Sequence, residues 1–436
     1  MPKSGSVTAR WRSFCASGWE RKCPAASTFP PSPKRASSTL KARLFEGVGM
    51  EILTLVEALK GSLLYQMSLG NTELYHSNVW AWLFQNDHNF IKIFFDAYDE
   101  RRYEFCGAAR ECAHRDLIIW LRERGLPERE GKCYFVIENK IKSLADRVQL
   151  QNYSEDLYGN RLVGAAFTGI INPFDQDIVQ TEGKIKATWR FVPYHKIAEQ
   201  INEIAAKSQS ELIRKNRAQI EEYCSTICHL VSVLRGAVEL CPGRLEYRCG
   251  QELTAALEEI RLRDIFVKLK AASFVRFLKE REGELLKLCP EGYRLEIMQG
   301  FHRKSATIDV RFTDWKARNK QYLHIGIQLQ GDQYRRIAER NGRFTSVEEV
   351  FHEFKGDWFD ENYRPEAQEK VIFGRPTRMR ASYDSYGANS REYSFVYQYF
   401  DLDESGREFE QLFKMIFSDM KLAGEIVLGR EASIDP

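Results

Sequence analysis

The feature that most constrains this chain is a run of four apolar residues, Tyr134-Phe135-Val136-Ile137, that ends abruptly in Glu138-Asn139-Lys140. A short apolar, β-rich run of this kind reads as a buried strand. Positions i and i+2 of a strand face the same side. Glu138 and Lys140 therefore project together from the strand's end, and Asn139 points the other way. A carboxylate and an ammonium at the edge of a core are costly unless they serve each other or a ligand.

Upstream, His114-Arg115-Asp116 opens a second apolar segment, Leu117-Ile118-Ile119-Trp120. If the two segments pair antiparallel, Asp116 comes beside Glu138. Two adjacent carboxylates repel unless a cation lies between them. An oxygen-rich pair suits Mg²⁺ or Mn²⁺. Lys140 can then position an attacking water, which is the equipment phosphodiester hydrolysis needs. The acid-x-Lys pattern alone carries little weight, because the chain holds seven of them, starting at Glu20, Glu130, Glu138, Glu182, Asp314, Glu353 and Asp419. The one at Glu138 closes an apolar strand and precedes a helix that Ser143 and Asp146 can cap, running to about Leu157.

Around this motif the pattern reads as helices over Glu51–Leu69 and Thr72–Tyr98, hairpin strands over Glu104–Glu111 and Arg115–Leu121, further strands over Leu162–Ile171 and Thr188–Val192, and a helix over Tyr194–Ala206. Residues 208–288 show helical periodicity. Past Pro290, Ala306–Phe312, Tyr322–Leu329 and Tyr393–Phe400 alternate like half-buried strands, and Glu408–Leu422 closes as a helix. Residues 1–49 are rich in Ser, Pro, Ala and Arg without a period. They read as a disordered extension or as a start misplaced ahead of Met50. The expected division is 1–49, a core over 50–240, and a C-terminal α+β region over 241–436 that binds substrate or plays an accessory part.

The order of blocks resembles the PD-(D/E)XK nucleases, the restriction-endonuclease-like superfamily, and most closely its bacterial subgroup with an Ile-Glu-Asn-Lys motif. Four blocks carry the resemblance: Glu73-Leu74-Tyr75-His76-Ser77 with Trp80-Ala81-Trp82-Leu83, then Arg115-Asp116, then Ile137-Glu138-Asn139-Lys140-Ile141, then Gln149-Leu150-Gln151-Asn152-Tyr153. They span about residues 70–200. Arg115 stands where the superfamily's name places proline. The resemblance implies an α/β fold with a restriction-endonuclease-like core: a mixed sheet flanked by helices, followed here by a helical middle and the C-terminal α+β region. It implies Asp116 and Glu138 as ligands of Mg²⁺ (or Mn²⁺), Lys140 at the attacking water, Glu73 assisting, and Gln149 with Tyr153 toward the substrate. It implies a hydrolase of DNA, more than of RNA, in defence against foreign DNA or in repair. The alternative is an inactive module of the same fold that binds or assembles.

Charge limits how such a protein meets nucleic acid. The net charge of +3 hides nine basic and two acidic residues in positions 1–49, and the remainder holds 55 basic against 59 acidic. A local basic surface must do the binding. Arg335, Arg336, Arg340 and Arg343 are candidates, although a solvated basic face is the plainer reading. The ten cysteines include no C-x-x-C pair. Cys224, Cys228 and His229 could ligate zinc, but two small thiols on one helix face explain the spacing more simply. His195 reads as a helix-start residue. The sequence offers no run of about 18 apolar residues for a membrane helix and no apolar N-terminal signal core. The expected setting is cytoplasmic, with a homodimer as one assembly.

Overall fold

A computed structural model describes residues 38–68, 72–141, 143–154, 159–174, 176–182, 186–302, 305–314, 322–341, 350, 353–354, 356–359, 378–382, 393–402 and 407–434. The chain divides into two compact units, residues 1–47 and 48–436. Helix α1, Ser38–Gly61, starts well ahead of the expected Glu51. The expectation for residues 1–37 lies outside the described residues.

After the short helix α2 (Leu63–Ser68) comes α3 (Thr72–Asn86). It stops where Asp87 accepts the Asn89 N–H and begins a 3-10 turn over His88–Ile93. The single long helix expected to Tyr98 is thus two elements, broken by an Asx-type competition with the helical ladder. Strands β1 (Tyr103–Cys112) and β2 (Arg115–Glu123) then form the expected hairpin, with Cys112 paired to Arg115. Its loop residues Ala113 and His114 have φ of 51° and 64°. A two-residue loop with both residues left-handed matches the twist of the flanking strands.

Strand β3 (Lys132–Glu138) pairs antiparallel with β2 and parallel with β4 (Arg161–Gly169), with helix α4 (Arg147–Tyr153) between them in sequence. Beyond β4 lies β6 (Lys186–Pro193), again parallel. The sheet ends on β5 (Ile178–Glu182), an antiparallel edge strand that the sequence reading passed over. The first sheet is therefore mixed and six-stranded, in the order β1-β2-β3-β4-β6-β5.

Both faces of this sheet are covered. Leu117, Ile119, Phe135 and Ile137 join a core with Trp80 and Phe84 of α3 and Ile197 of α5 (Tyr194–Lys207). Ile118, Tyr134 and Val136 join a second, smaller cluster with Leu150 of α4 and Trp189. The alternation of a strand period of two thus sends odd positions to one layer and even positions to the other.

A helical stretch follows, with α6 (Arg217–Glu239), α7 (Gln251–Glu259) and α8 (Arg263–Glu280). Lys270 of α8 is 2% exposed, and its ammonium donates to the carbonyls of Val238 (3.1 Å) and Cys241 (2.6 Å) at the end of α6. The last carbonyls of a helix lack internal partners, so a cation there is favoured.

The second sheet is also six-stranded, in the order β11-β12-β10-β9-β8-β7, with every pairing antiparallel. Its strands are β7 (Tyr293–His302), β8 (Ser305–Asp314), β9 (Tyr322–Gln330), β10 (Gln333–Asn341), β11 (Arg378–Ser382) and β12 (Tyr393–Asp401). Three of these, β7, β10 and β11, were not expected. Ile308, Val310, Ile325 and Ile327 face a core shared with Phe274 of α8 and Ile416 of α9 (Phe409–Ile434). Helix α9 runs past the expected end at Leu422.

Of the arginines on β10, Arg336 has a different role from the one considered. Arg336 is 2% exposed and donates to Asp419 Oδ1 of α9 at 2.5 Å, with its guanidinium over the Trp358 ring. Arg340 pairs with Glu353, and Arg335 lies over Tyr397 and bonds Gln328. Arg343 lies outside the described residues. Burial and ion pairing make Arg336 a lock between sheet and helix rather than a surface contact. Among the described residues no helix is long and apolar enough to cross a membrane.

Candidate active site

The ladder between β2 and β3 ends with Leu117 opposite Ile137. Asp116 and Glu138 come one step beyond it on neighbouring strands, both on the side of Ile118 and Val136. Lys140, two residues on from Glu138, shares that side. Its ammonium lies 2.7 Å from Glu138 Oε1. Glu138 is 1% exposed and Lys140 8%.

Helix α4 supplies the next two groups. Asp146 Oδ1 accepts the Gln149 N–H at 3.1 Å, which starts the helix in the manner expected of that residue. Gln149 then donates from Nε2 to Glu138 Oε1 at 2.9 Å and to the Tyr153 hydroxyl at 3.0 Å. The i,i+4 spacing of Gln149 and Tyr153 puts both on the side of α4 that faces the strand ends. Within the described residues α4 ends at Tyr153, earlier than the expected Leu157. There Arg115 donates to the Tyr153 carbonyl at 3.0 and 3.2 Å and to the Ala113 carbonyl at 3.0 Å. Arg115 therefore ties the hairpin turn to the helix.

Glu73, near the start of α3, comes from the opposite layer. Its Oε1 accepts from the Ser143 hydroxyl at 2.8 Å. Its charge reaches Asp116, Glu138 and Lys140. Ser143, expected to cap the following helix, instead holds this carboxylate. All six residues singled out from sequence (Glu73, Asp116, Glu138, Lys140, Gln149 and Tyr153) thus belong to one constellation.

Asn139 is the residue that sequence reasoning undervalued. It does point away from Glu138 and Lys140, but into protein, and it is fully buried. Its Nδ2 donates to the Glu73 carbonyl (2.6 Å) and to Ser77 Oγ (3.1 Å). Its Oδ1 accepts from Thr168 Oγ1 (3.3 Å) and from the Tyr194 hydroxyl. A buried amide with all four hydrogen-bonding positions engaged is rigidly placed. The main-chain N–H of the same residue donates to Asp116 Oδ2 at 2.7 Å. The available signal was its alternation phase, since a polar residue one position out of register with Glu138 must face the helical layer. His76 and Ser77 take the packing and bonding roles expected of them, with His76 Nδ1 2.9 Å from the Tyr223 hydroxyl. His195 is the second residue of α5, and its Nδ1 lies 3.2 Å from Arg235 Nη2.

Burial, reinforced by neighbouring acids, raises both carboxylates. Glu138 is pushed up to about 8 by burial and then by Asp116, against the pull of Lys140. Asp116 is pushed up to about 6 by burial, offset by Lys140 and the Asn139 N–H. Burial works against the charge of Lys140, but Glu138 holds it above its ordinary value. Glu138 Oε2 is buried and accepts no hydrogen bond among the described residues. An unsatisfied buried carboxylate oxygen costs about 1–3 kcal/mol or more unless a ligand meets it. A divalent cation has the chemistry to meet that oxygen. Among the described residues no three His, Cys, Asp or Glu side chains gather as a metal-ligating group, which leaves Cys224, Cys228 and His229 as helix-borne packing residues. Two carboxylates, with waters and substrate phosphate completing the shell, are what Mg²⁺ commonly takes from a protein. Comparison with known protein families, curated proteins and solved structures finds no match to this chain.

Proposed function

We propose that this protein is a metal-dependent nuclease of the PD-(D/E)XK type that hydrolyses phosphodiester bonds in DNA. The observation that carries the reading is Glu138. It is buried, paired to Lys140 at 2.7 Å through Oε1, and left with an unsatisfied Oε2 on the side it shares with Asp116. Asp116 and Glu138 would hold Mg²⁺ or Mn²⁺. When bound, the ion supplies positive charge at the phosphoryl oxygens and lowers the pKa of water. Lys140 orients the nucleophile and balances charge at the scissile phosphate. Gln149 fixes the Glu138 carboxylate, and Tyr153 extends the same helix side toward the substrate. Glu73, held by Ser143, adds acidity at the rim and assists in placing the ion. A part in defence against foreign DNA or in repair accords with such an activity.

The test is incubation with plasmid and linear DNA in Mg²⁺ or Mn²⁺, comparing wild type with Glu138→Ala and Lys140→Ala. Cleavage by wild type alone supports the reading. Equal cleavage by all three, or none by any, overturns it. The rival reading, an inactive module of this fold that binds or assembles, predicts no uptake of Mn²⁺ that depends on Asp116 and Glu138.

A further inference from the structure

Helix α8 packs on β7 and β8 of the second sheet and reaches the segment that follows β4 of the first. Arg276 donates from Nη2 to the Asn172 carbonyl at 2.8 Å, and Asn172 lies three residues past the end of β4. That end is adjacent to the site, because Glu138 pairs with Phe167 in the β3–β4 ladder. Two turns earlier on α8, Lys268 lies within electrostatic reach of Glu73 and Lys140. Its ammonium is 4.6 Å from the centre of the Phe301 ring, and its carbonyl accepts from Gln299 Nε2 at 2.9 Å. Both partners belong to β7, so the second sheet fixes the rotation of α8 about its axis.

At 100° per residue, Lys268, Arg276 and the exposed Lys279 fall within an arc of about 80° on α8. At 1.5 Å per residue the three cover about 16 Å along the axis. That length is enough to meet a few successive phosphates of one duplex strand. Residues 50–436 need such a local basic feature, since their 55 basic and 59 acidic residues do not attract a polyanion.

We propose that this stripe of α8 is the backbone-binding track that delivers DNA to the site, with Lys268 at the end toward the site and Arg276 and Lys279 farther along the strand. This rests on the nuclease reading above and assigns residues 241–436 a role: the second sheet holds α8 in place against the sheet edge. One of the five guanidinium N–H donors of Arg276 is spent on Asn172, which leaves the fork able to meet phosphate. Asp264 lies a turn before Lys268 and bounds the stripe on the side away from Arg276.

The experiment is fluorescence anisotropy of the full chain with a labelled duplex oligonucleotide in EDTA, from 50 to 200 mM salt. Lys268→Met keeps the alkyl stem over Phe301, and Arg276→Gln and Lys279→Gln keep polarity. The control is Lys421→Gln on α9, which removes one charge elsewhere. Each stripe variant is expected to bind roughly threefold or more weakly at low salt. The triple variant's slope of log affinity against log salt falls by about 2 to 3, while the control and the melting temperatures stay near wild type. Tight binding with unchanged slope in the triple variant overturns the track but leaves the nuclease reading standing. Absence of salt-dependent binding by wild type, together with absence of Mn²⁺-dependent cleavage, overturns both.

Discussion

Asp116 Oδ2 accepts the main-chain N–H of Asn139 at 2.7 Å, so one proposed ligand is held by the backbone of the motif that carries the other. The bond is charge-assisted and restricts the Asp116 rotamer. Asp116→Asn keeps an oxygen that can accept the same N–H but removes the charge. The expected outcome is a fold that melts within a few degrees of wild type and a loss of Mn²⁺ affinity of at least about 100-fold, by calorimetric titration. Unchanged Mn²⁺ affinity would remove Asp116 from the site.

The raised carboxylates set the pH dependence. With Glu138 at about 8 and Asp116 at about 6, the folded metal-free protein keeps protons that the unfolded chain releases above about pH 4. A group whose folded pKa is raised stabilises most below its unfolded pKa, and that contribution is lost as pH rises through the folded value. Metal-free wild type should therefore lose stability relative to Glu138→Gln between pH 5 and 8.5, on the order of 3 kcal/mol. Added Mn²⁺ should reverse the loss, because ligands bind metal deprotonated. Parallel melting curves for the two proteins across this range would contradict the raised value.

Asn139 links both sides of the site. Asn139→Ala leaves the Tyr194 hydroxyl, Ser77 and the Glu73 carbonyl buried without that partner. The expected cost is about 2–4 kcal/mol by denaturant unfolding. Asn139→Asp retains the acceptors and loses the two Nδ2 donors, so it should be destabilised as well and add charge beside Glu73. Wild-type stability in both variants would show that the buried amide is not a structural hub.

The second sheet offers an independent check. Arg336 and Asp419 are an ion pair 2–3% exposed, and Tyr334 also donates to Asp419 at 2.8 Å. Removing one charge strands the other, so Asp419→Ala should cost about 3–5 kcal/mol. The combination Arg336→Met with Asp419→Leu should recover most of that loss. A double variant as unstable as the single one would mean that the loss comes from packing around Trp358 rather than from an uncompensated charge.

How much of this was legible in the sequence depends on distance along the chain. Asp116, Glu138 and Lys140 sit at strand ends, and the contrast between apolar run and polar end is visible within a few residues. Gln149 and Tyr153 were reached through the family resemblance, and their helical spacing then puts both on one side of α4. The direction of Asn139 was legible from its alternation phase, but its partners were not, because they run from Glu73 to Tyr194 and no local window contains them. The same holds for Arg336, whose partner is 83 positions away. A guanidinium in a core looks polar in sequence, so β10 read as a basic surface. Strand β5 is five residues long and pairs only with β6, so its alternation is too brief to stand out.

The wiring of Asn139 also has a consequence in time. Its side chain needs Glu73, Ser77, Thr168 and Tyr194 together, and about 120 residues separate the first from the last. At synthesis rates of about 5–20 residues per second, roughly 6 to 24 s pass between the appearance of Glu73 and that of Tyr194. A growing chain thus carries Asp116, Glu138, Asn139 and Lys140 before it carries Tyr194, the last partner of the Asn139 side chain. The order of residues therefore delays completion of this buried network until the protein is well past its middle strands.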